Sequence, residues 1–476
     1  MREQAFCVHG HFYQPAREDP LTGEIPQEQG AAPYPNWNER IHDHCYRPNA
    51  ELGNFERISF NIGPTLFNWM ALRHPETVEM ILAQERRTMR RYGVSNALAQ
   101  AYHHTILPLA ARHDKISEVL WGIADYEKRF GHSPMGMWLP ETAVDEETLG
   151  VLADCGIQFT ILAPWQAEGD DLDITQPYWV ELNSGKRMVV FFYQPELSSR
   201  ISFDPAATSN ADEFYRNILR GQFRTSDEAQ FVLMASDGEL YGHHQPFRDK
   251  FLAYLTGKVG NDSLPFATFP AQWLQDHKPQ RVVRIRNGTS WSCHHGILRW
   301  AGHCGCTPHG EWKAYLRQAL NFVAQAIDEV YVSRVQPLVG DVWQLRNQYI
   351  HVLLGNTSLS SLTRLISGRS LSEEQLSRID MLLTAQHERM RMFTSCGWFF
   401  EDFDRIEPRN VVAYAAQAIW LTYVATGVDL SGKAQQWFYP VQSWVTGLRA
   451  DVVFQERLRR AREYFERLRY MVWVPG

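Results

Sequence analysis

Short apolar segments that alternate with helical segments are the feature that most constrains this fold. Seven segments rich in β-branched and aromatic residues each end at polar or turn-forming residues. Between them apolar residues recur at helical spacing, as at Ile116, Val119 and Ile123. Strands that alternate with helices pair in parallel, so the pattern predicts a parallel α/β barrel or sheet. The predicted strands are residues 5–9, 57–62, 97–102, 135–139, 157–162, 188–193 and 230–235.

The pattern becomes purely helical after Gly310. Leu316, Leu320 and Val323 form part of one apolar stripe, and residues 372–375 read Ser-Glu-Glu-Gln, a capping box that starts a helix. The sequence therefore predicts an α/β domain over residues 1–310 and an all-α C-terminal region over residues 311–476, packed together without a flexible linker.

Glu141 lies where a predicted strand turns into a helix. Pro140 cuts the apolar run that ends at Leu139, and Asp145 is a good N-cap for the next helix. In α/β barrels, catalytic groups lie at the carboxyl ends of the strands. Trp138 just upstream offers an aromatic face of the kind on which sugars stack. The alternative interpretation is a charged loop residue beside a buried tryptophan.

A second acidic segment follows the predicted strand at residues 230–235. Asp237 and Glu239 lie just after its end, with His243 a few residues further on. Two carboxylates at neighbouring strand ends are the minimal set for glycosidic bond cleavage, with one nucleophile and one general acid/base.

His9 and His11 end the first predicted strand. Because alternate residues of a strand face the same side, both imidazoles can point the same way. They could bind a metal, as in zinc-dependent deacetylases and mannosidases, or they could hydrogen-bond sugar hydroxyls. A structural pair without a function is the third possibility.

Four motifs, in order along the chain, resemble those of glycoside hydrolase family 57. Residues 138–141 (Trp-Leu-Pro-Glu) resemble its nucleophile motif, and residues 237–243 resemble its acid/base motif. Residues 9–15 (His-Gly-His-Phe-Tyr-Gln-Pro) resemble its N-terminal motif, and residues 93–108 resemble its second motif more loosely. The helical C-terminal region resembles one subgroup of the family more than the well-known amylases. The fold that the resemblance implies is a seven-stranded parallel (β/α) barrel followed by an all-α region.

The resemblance implies a retaining glycoside hydrolase or transglycosylase that acts on α-linked glucans. Glu141 would be the nucleophile and Asp237 the general acid/base. The family includes amylases, glucanotransferases, branching enzymes and α-galactosidases, and these motifs do not choose among them. The implied partner is an oligosaccharide or polysaccharide, and we expect no cofactor and no catalytic metal. The expected substrate-binding residues are His9, His11, Gln14, His104, Trp138, Glu239, His243, Trp291, His295 and Trp398.

Composition excludes several other classes of function. A net charge of -7 gives no sign of nucleic-acid binding or of a polybasic membrane surface. No apolar run approaches the roughly 20 residues that span a bilayer, and the N-terminus does not read as a signal peptide. The seven cysteines are an odd and scattered set, so we expect thiols in a cytoplasmic protein rather than a disulfide framework.

Two further segments are unusual. Residues 289–307 are dense in cysteine and histidine, which suggests zinc, but Cys304 and Cys306 are closer in sequence than the usual zinc spacing. We expect a substrate-binding segment with incidental thiols and no metal. Residues 394–402 bring Trp398 and acidic groups between two helices, and they either complete a substrate cleft or form an ordinary interhelix turn.

Two rival functions remain open from the sequence. One is a metal-dependent carbohydrate deacetylase or mannosidase-like hydrolase that uses His9, His11 and Asp237 or His243. The other is a non-catalytic carbohydrate-binding protein, against which the presence of both carboxylates argues.

Overall fold

The computed structural model describes residues 3–258 and 265–472, which form two compact units. The strand unit comprises residues 3–14, 27–102 and 125–294, and the helical unit comprises residues 15–26, 103–124 and 295–472. Two N-terminal segments thus belong to the helical unit. Arg17 pairs with Glu407 at 3.4 Å, and the ring of His104 bonds the hydroxyl of Ser395 at 2.6 Å. Within the described residues, no helix is long and apolar enough to cross a membrane.

The described residues form ten strands, and each of the seven predicted strands overlaps one of them. They are β1 (Gln4–Phe12), β2 (Ser59–Ile62), β3 (Ala99–Gln100), β4 (Met137–Trp138), β5 (Phe159–Leu162), β6 (Tyr178–Glu181), β7 (Arg187–Phe192), β8 (Gln230–Asp237), β9 (Phe266–Ala267) and β10 (Arg281–Val282). Strands β6, β9 and β10 were not predicted from the sequence.

Strand β1 is paired in parallel on both sides. It pairs with β2 and with β8, and His11 is in register with Asn61 on one side and Asp237 on the other. Every residue of β1 after Gln4 is buried, as expected for a parallel strand with both faces covered. The register brings the carboxyl ends of three strands, with their polar side chains, to one edge.

The parallel pairing continues through the other predicted strands. Strand β3 pairs with β4, and β5 pairs with β7. Isolated parallel bridges link Phe60 to Ala97 and Gly136 to Phe159, next to β3 and β4. Strand β6, which was not among the seven predicted strands, runs antiparallel to β7. A tight turn at Gly185, with a φ of 79°, joins them as a hairpin, and a connection this short requires antiparallel strands.

One apolar cluster collects alternate residues from several strands. Ala5 and Cys7 of β1 meet Phe231 and Leu233 of β8 in this cluster. Alternate side chains of a strand face the same side, so these strands share an inner face. Strands β5 and β7 and the tryptophan of β4 supply further members, which are Phe159, Ile161, Val189, Phe191 and Trp138.

The α-helices lie between the strands and after the last strand. Their bounds in chain order are Trp37–Ile41, Arg47–Glu51, Pro64–Arg73, Pro75–Tyr92, Arg112–Phe130, Glu146–Asp154, Pro195–Phe203, Ala211–Glu213, Arg248–Lys258, Pro270–Asp276, Leu298–Ala301, Trp312–Val339, Val342–Leu353, Leu359–Ser367, Glu373–Arg391, Cys396–Phe399, Ile406–Thr426, Ser431–Phe438 and Ala450–Val472. The predicted capping box is present, because Ser372 accepts from the backbone of Gln375 and Gln375 reaches back.

The sequence pattern missed a helical stretch near the N-terminus. Residues 37–51, which lack apolar periodicity, form two short helices joined by a π-helical turn at His42–Tyr46. Asn36 caps the first of them by accepting from the backbone of Glu39. Tertiary packing rather than an amphipathic stripe stabilises this segment, since Tyr46 and Asn49 are buried.

A buried ion-pair network stabilises the helical unit. Asp114 pairs with Arg389 at 2.6 Å and with Arg346 at 2.9 Å. Arg389 also pairs with Asp328 at 2.6 Å. The side chain of Arg346 is fully buried, so removal of a partner leaves a positive charge out of reach of water.

Asp114→Ala is therefore expected to lower the free energy of unfolding by about 3–5 kcal/mol, the usual cost of breaking a buried pair from one side. Urea unfolding followed by circular dichroism measures this change. Arg378→Ala, which removes an exposed pair with Glu374, is the control and should change stability by no more than about 0.5 kcal/mol. Equal effects of the two substitutions would contradict the role given to the network.

Candidate active site

Glu141 lies in a strained turn directly after β4. Its φ is 57° and that of Thr142 is 48°, so two successive non-glycine residues are left-handed. Such a conformation costs on the order of 1–3 kcal/mol for each residue and persists only where the surroundings enforce it. The following helix, Glu146–Asp154, starts at Asp145, whose side chain accepts from the backbone of Thr148.

Neighbouring segments enforce this turn. The buried side chain of Thr142 donates to Gln166, and Gln166 donates back to the carbonyl of Thr142. The backbone of Trp291 donates to the carbonyl of Glu141 at 3.0 Å. The turn is thus held from two sides, which fixes the direction of the Glu141 side chain.

Two side chains hydrogen-bond the carboxylate of Glu141. The indole of Trp291 donates to Oε2 at 3.0 Å, and the hydroxyl of Ser292 donates to the same oxygen at 2.6 Å. Both bonds favour the ionised carboxylate, the form that a nucleophile requires. Ser292 was missed by the sequence analysis, because nothing in its local sequence distinguishes it from a loop serine.

Asp237 is the last residue of β8 and lies in register with His11. Part of Asp237 is open to solvent, but protein surrounds most of its carboxyl group. Burial and the negative charge of Glu141 raise the pKa of Asp237 to about 7. The carboxyl groups of Glu141 and Asp237 are thus close enough for the charge of one to affect the protonation of the other.

Glu239 is a third carboxyl group and is buried. It accepts from the backbone of Tyr13 at 3.1 Å and from the hydroxyl of Tyr46 at 2.7 Å. Burial and the charge of Asp237 raise the pKa of Glu239 to about 8, against the opposing effect of these hydrogen bonds. Gln14 also bonds the hydroxyl of Tyr46 and so belongs to the same network. The sequence suggests that Tyr46 belongs to an ordered loop over the site, but its hydrogen bond to Glu239 was not predicted.

The glycine between Asp237 and Glu239 is required by packing. A Cβ atom at Gly238 would lie 2.3 Å from the ring of Phe12. Phe12 is fully buried, so the ring cannot move away into solvent. The close contact explains why the two acidic residues are separated by a residue without a side chain.

His9, His11 and Trp138 form a buried aromatic layer beside the carboxyl groups. The rings of His9 and His11 stack on Trp138 at centroid distances of 4.7 and 5.2 Å. His9 bonds Ser59 through Nδ1 at 2.9 Å and Asn61 through Nε2 at 3.1 Å, and His11 also bonds Asn61. Burial lowers the pKa of each histidine to about 3, so both are neutral. Trp138 is fully buried, so the face that the sequence offered to a sugar is covered by the histidines.

Comparison with known proteins identifies the family. The model for glycosyl hydrolase family 57 matches residues 8–286, more than half of the chain. The chain belongs to glycosyl hydrolase family 57. Residues 309–470 match a second model, described as a domain of unknown function, DUF3536.

Several family 57 relatives are similar to this chain over part of its length. An α-amylase of Pyrococcus horikoshii is 21% identical over 258 residues, which are 52% of this chain and 38% of that protein. A 4-α-glucanotransferase of Thermococcus litoralis is 21% identical over 43% of this chain and 30% of that protein. The chain therefore spans well under half the length of these curated relatives.

A solved structure shows the same fold over nearly the whole chain. The exo-type maltose-forming amylase of Pyrococcus sp. ST04 superposes with a TM-score of 0.76. The alignment covers 95% of this chain and 88% of that chain, at 14% sequence identity. The structural similarity therefore includes residues of the helical unit as well as the strand unit. At 14% sequence identity, it shows only that the fold is shared.

Three other predicted site residues of this family 57 chain are His243 in the strand unit and His104 and Trp398 in the helical unit. His243 follows the Glu239 turn, and burial and the neighbouring His244 lower its pKa to about 4. His104 bonds Ser395 in the helical unit. Trp398, also in the helical unit, is fully buried and has the guanidinium of Arg317 4.0 Å above its ring.

Glu141→Gln is expected to lower the pKa of Asp237. The substitution removes a negative charge that favours the protonated form, whereas burial, the larger cause, remains and keeps the pKa above that of an ordinary aspartate. Isotope-edited infrared titration of the aspartate carboxyl groups measures the shift, with Asp237→Asn used to assign the band. Glu196→Gln, at an exposed position, is the control. An unchanged pKa in Glu141→Gln would show that the two groups do not interact.

Proposed function

We propose that this protein is a retaining glycosidase or transglycosylase of α-linked glucans, with Glu141 as the nucleophile and Asp237 as the general acid/base. The observation that carries the proposal is the pair of interacting carboxyl groups at the carboxyl ends of β4 and β8, one hydrogen-bonded as a carboxylate and one with a raised pKa. Two neighbouring carboxyl groups suit these two roles when their surroundings favour the ionised form of one and the protonated form of the other.

In the first step, a carboxylate oxygen of Glu141 attacks the anomeric carbon of the sugar. A bond forms between this oxygen and the carbon, the glycosidic bond breaks, and the leaving oxygen takes the proton of Asp237. In the second step, Asp237 removes a proton from an acceptor hydroxyl, which attacks the same carbon and releases Glu141. Water as the acceptor gives hydrolysis, and a sugar hydroxyl gives transfer.

The surrounding residues support these roles. Trp291 and Ser292 hold the Glu141 carboxylate in place through one oxygen. Positioning of this kind lowers the entropic cost of reaching the reactive geometry. Glu239, with its pKa raised to about 8, is protonated at neutral pH and adds no second negative charge beside Asp237. His11, Gln14 and His243 are the proposed contacts to sugar hydroxyls, whereas the buried His9 uses both ring nitrogens to bond Ser59 and Asn61.

The substrate class is proposed from the relatives. The curated proteins that this chain matches are named α-amylase and 4-α-glucanotransferase. A metal-dependent deacetylase is less favoured, because both ring nitrogens of His9 already bond protein side chains. Metal ligation by His9 would require one of these hydrogen bonds to break.

The proposed architecture is a seven-stranded (β/α) barrel followed by a helical domain that begins near residue 310. The shared inner cluster and the order of parallel pairs and bridges support the barrel. The second family model begins at residue 309, which supports the domain boundary. A cytoplasmic location remains a prediction that rests on the scattered cysteines.

The first experiment is product analysis after incubation with maltooligosaccharides, glycogen and galactosides. Shortened or redistributed maltooligosaccharides are expected. Glu141→Ala should abolish turnover, and added azide should not restore a product of retained configuration. Asp237→Ala should lose about 10²–10⁴-fold in rate on substrates with poor leaving groups, which need protonation most.

Azide provides the control for these assignments. On an activated substrate, azide should partly rescue Asp237→Ala by intercepting the glycosyl-enzyme, giving a glycosyl azide of retained configuration. Glu147→Ala, at an exposed acidic position just beyond the turn, should keep full activity. Near-normal turnover by Glu141→Ala on a confirmed substrate would refute the nucleophile assignment.

The pH dependence follows from the raised pKa of Asp237. A general acid is active only when it is protonated, so kcat/KM should fall as pH rises through about 7, by about tenfold for each further pH unit. The effect should weaken with an activated substrate whose leaving group needs no proton. A profile that stays flat from pH 6 to 9 with a poor leaving group would contradict the role of Asp237.

A further inference from the structure

The loop around residues 295–306 brings together three metal-binding side chains outside the proposed catalytic residues. His295, Cys304 and Cys306 offer ligand atoms that all lie within 4.8 Å of one another. The sulfur of Cys304 is 3.7 Å from Nδ1 of His295, and the sulfur of Cys306 is 3.3 Å from the same atom. One imidazole nitrogen therefore faces two thiols.

These distances match the ligand shell of a tetrahedral zinc ion. With Zn–S bonds of about 2.3 Å and Zn–N bonds of about 2.0–2.1 Å, neighbouring ligand atoms lie roughly 3.5–3.8 Å apart. The two sulfur–nitrogen distances lie on either side of the expected sulfur–nitrogen value. Thiolate and imidazole are also the ligand types that select zinc over magnesium or calcium.

The short spacing between Cys304 and Cys306 does not prevent shared ligation. The backbone of Thr307 donates to the carbonyl of Cys304, which closes a turn over Gly305. Within this turn the backbone of Cys306 donates to the sulfur of Cys304 at 3.4 Å, and a hydrogen bond of this kind favours the thiolate. The sequence predicts no metal here because of that spacing, and the turn removes the objection by directing both sulfurs toward His295.

The loop is anchored to the long helix that follows it. Trp300, between His295 and Cys304, is fully buried, and its carbonyl accepts from Arg317 at 2.8 Å. The side chain of Lys313 donates to Thr307 at 3.1 Å. Both sides of the turn are thus fixed to the helix Trp312–Val339, so the ligands need little rearrangement to bind an ion.

From this geometry we propose a structural zinc site with His295, Cys304 and Cys306 as ligands. Cys293 is the proposed fourth ligand, because it lies only two residues before His295 in the chain. Four protein ligands leave no open position for water, which is the arrangement of structural rather than catalytic zinc. The site is independent of the proposed glycosidase chemistry, since none of its ligands takes part in that reaction.

Metal analysis of the full chain, purified under reducing conditions after growth with added zinc, tests the proposal. About one zinc per chain is expected after dialysis. The double variant Cys304→Ser/Cys306→Ser should retain less than a tenth of that amount, and Cys293→Ser should weaken zinc binding by at least the roughly 10–100-fold that loss of a supporting residue costs. Cys396→Ser, a partly exposed thiol elsewhere in the helical unit, is the control and should keep full zinc content.

A spectroscopic measurement on the unmodified protein tests the zinc site without depending on whether the variants fold. After zinc is removed by a chelator under reducing conditions, Co²⁺ should bind and give the intense visible absorption of a tetrahedral thiolate site, and added Zn²⁺ should displace it. Absence of zinc and of this absorption, or a disulfide between Cys304 and Cys306 in the reduced preparation, would overturn the proposal. Zinc that persists in the folded double variant would overturn it equally.

Discussion

The pairing of β1 with strands on both sides is the constraint on which the proposed site depends. It places His11 between Asn61 and Asp237, so that polar side chains from three strands meet at one edge. Residues 5, 7, 9 and 11 alternate onto one face, the lower two within the apolar cluster and the upper two against Trp138. A shift of one residue in either pairing would turn the histidines away from this layer.

The protonation pattern of the strand unit follows from the same packing. Three carboxyl groups lie near one another, and Glu141 and Glu239 each receive two donors at a single oxygen. Asp237 and Glu239 have raised pKa values because burial and mutual repulsion disfavour further charge. The neutral histidines contribute no positive charge that would reverse this effect. Burial thus favours the protonated forms of Asp237 and Glu239, whereas the hydrogen bonds from Trp291 and Ser292 favour the ionised form of Glu141.

Local sequence patterns predicted the elements and the two principal acids, because both depend on local signals. Strand ends, the Asp145 cap and the Ser372 capping box are set by neighbouring residues, and each appears in the structure. Tyr46, Gln166 and Ser292 could not be predicted in the same way. Their roles arise from contacts with residues that are 24 to 193 positions away in the chain. Strand β6 was not predicted for a related reason. It forms through its pairing with β7 across a short turn, and its composition alone does not mark it as a strand.

In the segment after β10, two adjacent residues carry side chains of different reactivity. Ser292 donates to the Glu141 carboxylate, and the next residue is Cys293, followed within the loop by two more thiols. Carboxylates and hydroxyls are inert to mild oxidants, whereas thiols pass readily to sulfenic acid and disulfide. A single peptide bond therefore links Ser292, which bonds the Glu141 carboxylate, to a residue that carries a thiol. Oxidation of Cys293 would alter the residue next to the donor of the proposed nucleophile and would leave the Glu141 carboxylate itself unmodified.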